Sequence, residues 1–140
     1  MKKIFVLVCA LSFIFAVTAF AEPIKFPNGL TIDVAPGWSY EGEGDTIALT
    51  AEDKTCAIYI TVTEAGNLSG KDTAEIMSKE HDGSKPQQLD EDTYFYVFGN
   101  DNGVNTRVYV GVEDGKLKIL SITGEHKDID EMMSSITEGK

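Results

Sequence analysis

Cysteine is nearly absent from this sequence: Cys9 sits inside an apolar N-terminal run, and Cys56 stands alone in everything that follows. A single thiol excludes an intramolecular disulfide framework, even where an oxidising compartment would permit one. Histidine is as scarce. Neither His81 nor His126 has a second His, Cys or carboxylate at a spacing that makes a recognisable metal site, so no metal and no cofactor is expected. There is no Gly-x-Ser-x-Gly elbow and no phosphate-binding glycine loop leading into a helix. His81, Asp82 and Ser84 hold the letters of a hydrolase triad, but triads are assembled from distant segments, so no catalytic residue is assigned. Asn100-Asp101-Asn102-Gly103 offers oxygen ligands for calcium, yet Phe98 stands where an EF-hand loop needs its first acidic ligand. No internal repeat, low-complexity tract or domain linker is visible.

Positive charge is also short. The chain has 12 Lys and Arg against 23 Asp and Glu. Lys2 and Lys3 precede an almost wholly apolar run from Ile4 to Phe20, and Ala19-Phe20-Ala21 has the small-x-small form of a signal-peptidase site. Residues 1–21 are therefore expected to be a cleaved signal peptide, and residues 22–140 a single exported domain, periplasmic or secreted. An uncleaved anchor is the competing use of such a run, which lies at the lower edge of the roughly 17–25 residues that span a bilayer. Ser12, Thr18 and the cleavage pattern argue against it. Without Lys2 and Lys3 the formal charge is 10 minus 23, or −13. That surface repels phosphate backbones and anionic lipid, so neither a nucleic acid nor, after cleavage, a membrane is an expected partner.

What is present is β-structure. Tyr94 to Thr123 reads as a three-stranded meander, because apolar β-formers flank Asn102-Gly103 and Asp114-Gly115, residues that supply the positive φ of hairpin turns. Tyr94, Tyr96 and Phe98 oppose Phe95 and Val97 in parity, as in a sheet covered on both sides. On the next strand Val108, Val110 and Val112 share one face; Arg107, Tyr109 and Gly111 share the other, where a residue without a side chain marks the place to look for a shallow recess. Upstream, Leu30–Val34, Thr46–Ala51 and Cys56–Thr63 alternate as half-buried strands, the last two as a hairpin. Cys56 shares the apolar parity of Ile58, Ile60 and Val62, which predicts a buried core thiol. Glu22 to Asn28 reads as an irregular lead-in, and Glu41 to Asp45 as a Gly-rich acidic loop. A short helix is expected from Asp72, with Asp72 as its cap, Ala74, Ile76 and Met77 as its apolar face and Gly83 as its stop. A second is expected from Asp128, with Ile129, Met132, Met133 and Ile136 as one stripe. The fold class is α+β: a single antiparallel sheet of about six or seven strands flanked by helices.

The alternating strand running into Pro36-Gly37-Trp38, the hairpin through Thr63, the helix near Ala74, the meander and the closing Met132-Met133-Ser134-Ser135-Ile136 together resemble the PsbP-like (Mog/PsbP-like) family of small exported bacterial proteins. The resemblance implies an α/β/α sandwich. Members of known role bind or stabilise larger partners, so it also implies an accessory or binding function, and it carries no catalytic residue onto this sequence.

The first functional expectation is thus an exported, non-catalytic binding or accessory module for an unidentified protein or small molecule, acting as a monomer or weak homodimer. Its candidate contacts are Trp38, Tyr40, Tyr59, Arg107 and Tyr109, since aromatics and arginine are favoured interface anchors. Trp38, after a turn, suits a plug at the edge of a core as well as a ligand platform. The alternative is a small hydrolase or calcium- or cation-binding protein that uses an acidic cleft, with His81 or His126 as proton carrier.

Overall fold

The computed structural model describes residues 21–99 and 103–138. Residues 1–20 of the expected signal peptide, and Asn100, Asp101 and Asn102 of the first meander turn, lie outside them. In chain order the elements are β1 (Glu22–Lys25), β2 (Leu30–Val34), β3 (Trp38–Glu43), β4 (Thr46–Ala51), β5 (Cys56–Glu64), α1 (Gly70–Glu80), β6 (Gln87–Asp90), β7 (Thr93–Gly99), β8 (Asn105–Glu113), β9 (Lys116–Gly124), α2 (Ile129–Ser134) and β10 (Thr137–Glu138).

Strict alternation along β4 and β5 sends Ile47, Leu49, Ile58, Ile60 and Val62 to one side of an antiparallel sheet, and β9 continues that side with Leu120 and Ile122. Seven strands pair in the order β3-β4-β5-β9-β8-β7-β6. A separate small sheet, ordered β1-β2-β10, lies over one face. It contributes Leu30, Ile32 and Val34, and α2 adds Ile129 and Met132, to the larger of two cores. On the other face α1 packs against β7 and β8, where Ala74 meets Tyr96, Val108 and Val110 in the second core. Fully burying one such aliphatic side chain contributes about 1.5–3 kcal/mol, so both faces of the meander gain from being covered. The architecture is the expected α+β sandwich, with the small sheet sharing one layer with α2. No helix among the described residues is long and apolar enough to cross a membrane.

Several local expectations need correction. The lead-in is strand β1, paired with β2 from Glu22↔Val34 to Lys25↔Thr31; Pro23 is tolerated because β1 is the edge of its sheet. The acidic Gly-rich loop shrinks to a tight turn, because β3 runs on through Gly42 to Glu43. Gly42 is there for proximity: a Cβ on it would lie 2.9 Å from the Phe26 ring.

Helix α1 starts earlier, at Gly70, and its cap is Ser69, whose hydroxyl accepts the Asp72 N–H at 3.0 Å. The buried positions are Gly70, Ala74 and Ser78, spaced by four, while Ile76 is 57% exposed. Small residues set that face because the helix must come close: a Cβ on Gly70 would lie 2.5 Å from the Asp92 carbonyl. At the other end Asp82 takes the left-handed conformation expected of Gly83, with Asp82 N–H donating to the Lys79 carbonyl and Gly83 N–H to that of Ser78. Asp128 makes no side-chain capping bond on α2, since its carboxylate is engaged elsewhere.

Candidate functional site

The two layers that enclose the larger core part company differently at their two ends. At one end β3 begins with Trp38, delivered by the Pro36-Gly37 turn with Gly37 at φ 85°. Its ring is only 6% exposed. Its Nε1–H donates to Asp128 Oδ2 at 3.1 Å, and the ring meets His126 edge-on with centroids 4.9 Å apart. His126 Nδ1 in turn accepts the Asp128 N–H at 3.1 Å, which leaves the ring proton on Nε2, 3.7 Å from Asp53 Oδ2. Hydrogen bonds from the Thr55 hydroxyl and N–H hold the Asp53 carboxyl below its usual range. Trp38 is therefore a hydrogen-bonded plug, and as a contact residue it is inaccessible.

At the other end the gap stays open. A recess of about 590 Å³ lies between the small sheet and the face of β8 and β9 that carries Tyr109, Gly111, Lys118 and Leu120. The volume falls within the roughly 300–1,000 Å³ of small-ligand pockets. Two features keep it open. The covering strand β10 is only Thr137–Glu138. Gly111 places no side chain in the floor, and even a Cβ there would come within 3.1 Å of Thr93 Oγ1. Ile60, Val62 and Leu120 line the apolar depth, with Leu30 and Ile136 opposite. Tyr109 forms one wall, its ring braced by Phe95 at a centroid distance of 4.9 Å.

Carboxylates ring the mouth. Asp90 comes from the end of β6, Glu91 and Asp92 from the turn into β7, Glu113 from the end of β8 and Glu138 from β10. Lys118 Nζ donates to Glu113 Oε1 at 2.9 Å and to Glu138 Oε1 at 2.6 Å. Burial pulls the Lys118 pKa down, but these hydrogen bonds and charges outweigh it and hold it above the usual lysine value.

The residues singled out in the sequence are thus scattered. Tyr109 and Gly111 line the recess. Arg107 shares their face but lies outside it, 3.8 Å from Glu125 Oε1. Tyr40 is 50% exposed on β3, edge-on to Phe26 with centroids 5.7 Å apart. Tyr59, 49% exposed, points from the opposite face of the sheet, between Ala48 and Ser121. Cys56 is buried, and desolvation pushes its thiol up to about 11 against an opposing pull from Arg107, so it stays protonated at neutral pH.

His81 Nδ1 lies 2.7 Å from the Tyr96 hydroxyl on the α1 side of the sheet, whereas His126 belongs to the Trp38 end. The two histidines share no cavity among the described residues. Nor do three His, Cys, Asp or Glu side chains converge there as a metal site. Lys118 and the rim carboxylates carry no joint signal in the sequence because they come from four separate segments. The signal that could be read was Gly111 in parity with Tyr109.

No family model and no curated protein matches the chain by sequence. Solved structures do match it. The Ran-binding protein Mog1p of Saccharomyces cerevisiae aligns with a TM-score of 0.55 at 11% identity, covering 86% of this chain and 96% of that one. Cyanobacterial PsbP of Synechocystis sp. PCC 6803 aligns with a TM-score of 0.55 at 14% identity over 94% and 97% of the two chains. A Bacteroides thetaiotaomicron protein gives 0.57 at 15% identity over 88% of this chain and 50% of its own.

Proposed function

From the Mog1 and PsbP fold that this chain adopts, we propose that it is an exported, non-catalytic binding module that engages a partner protein through the recess over Gly111 and Tyr109. The observation that carries this is the asymmetry of the interlayer gap, sealed by a hydrogen-bonded Trp38 at one end and left open over an apolar floor at the other. A concave, mostly apolar pocket with a few placed polar groups is the usual form of a binding site. Its aromatic wall has the chemistry of an interface anchor. Export is supported by the sequence of residues 1–21. A use in partner binding is also in keeping with Mog1p, which is a Ran-binding protein.

The test is a cross-linked capture from periplasmic extract with wild-type protein and Gly111→Leu, whose side chain fills the floor. Wild type should retain a partner that the variant loses, while both keep the same near-ultraviolet circular dichroism. Equal recovery by the two proteins rules out the recess as the binding site. Trp38→Ala is unsuited to this purpose, because a buried plug reports on folding.

A further inference from the structure

On the premise that the recess is the binding site, we propose that its occupant is a protein segment carrying an apolar side chain with lysine or arginine close beside it. The depth and the mouth have opposite chemistry. Ile60, Val62 and Leu120, faced by Leu30 and Ile136, offer the depth nothing that would pair a charge. Removing an apolar side chain from water there is favourable in proportion to the area buried.

The mouth is anionic. Its five carboxylates, Asp90, Glu91, Asp92, Glu113 and Glu138, stand against one ammonium, Lys118, so the rim carries 5 minus 1, or four, negative charges. Lys118 is already held by Glu113 and Glu138. Asp90, Glu91 and Asp92 form no ion pair with any described residue. An anionic ligand meets repulsion here, and a purely polar cation leaves the floor wet. A basic segment with an apolar residue answers both, its positive charge lying against the unpaired Asp90, Glu91 and Asp92 beside the apolar depth. The net formal charge of the whole chain, −11, acts in the same sense by drawing basic partners to the surface.

The probe is a capped Lys-Ser-Leu-Ser-Lys peptide titrated calorimetrically into the purified protein, beside two counterparts in which Glu replaces Lys or Ser replaces Leu. The Lys-Leu peptide should bind at least about tenfold more tightly than either. Salt at about 1 M, where the screening length is about 3 Å, should weaken it by about tenfold. The combined substitution Asp90→Asn, Glu91→Gln and Asp92→Asn, all at exposed positions that leave the core untouched, should cost about tenfold as well. Failure of the Lys-Leu peptide to bind, equal binding of the Glu peptide, or indifference to the triple substitution each overturns the basic partner. None of these touches the recess itself, which stands or falls on whether Gly111→Leu loses the captured protein.

Discussion

Trp38 and Gly111 occupy opposite ends of the same gap between the small sheet with α2 and the seven-stranded sheet. One is the largest side chain in the repertoire and the other has none. At the Trp38 end the layers are pinned by an indole-to-carboxylate hydrogen bond and by the His126 ring. At the Gly111 end the covering strand is two residues long and Gly111 adds no side chain to the floor. The contrast teaches that an aromatic residue visible in a sequence is as readily consumed in sealing a core as offered to a partner. The open surface arises where side chain is missing.

Three substitutions sharpen or break this contrast in stability. The largest effect is expected from Trp38→Ala, which empties the sealed end. Urea unfolding should show a loss of about 3–5 kcal/mol, the range for truncating a buried aromatic, and a loss below about 1 kcal/mol would mean that the end is not a packed core. Asp128→Ala keeps the ring but leaves its N–H unpaired, for an expected loss of about 1–3 kcal/mol. Retention of wild-type stability would show water replacing the carboxylate. Gly111→Ala should move stability least, within about 0.5 kcal/mol, because the backbone entropy gained on removing a strand glycine offsets the tight approach to Thr93. A cost as large as that of Trp38→Ala would make Gly111 a packing residue like Gly42 and erase the distinction between the ends.

Much of the framework was readable from period alone. Leu30–Val34, Thr46–Ala51 and Cys56–Thr63 alternate so strongly that only one face could be buried. The meander follows from Asp114-Gly115, both at positive φ, between β-branched runs. Where close approach rather than hydrophobicity decides, period misleads. Gly42 reads as loop but lies in a strand under Phe26, Ile76 reads as core but is exposed, and Asp82 rather than Gly83 takes the left-handed conformation after α1. Of the candidate contacts, Tyr109 reached the recess because its parity partner is Gly111. Trp38, Tyr40, Tyr59 and Arg107 did not, because parity assigns a face and does not say what covers it.

The sequence by itself determined which residues seek burial, since alternation places side chains on faces through local backbone geometry, and it determined an acidic surface, since charge simply adds. Only the tertiary structure decided where the cover stops. That depends on how far a two-residue strand and a six-residue helix reach across seven strands. It is a matter of contacts between segments distant in the chain, and it turned Trp38 into a seal and left an open recess beside Gly111.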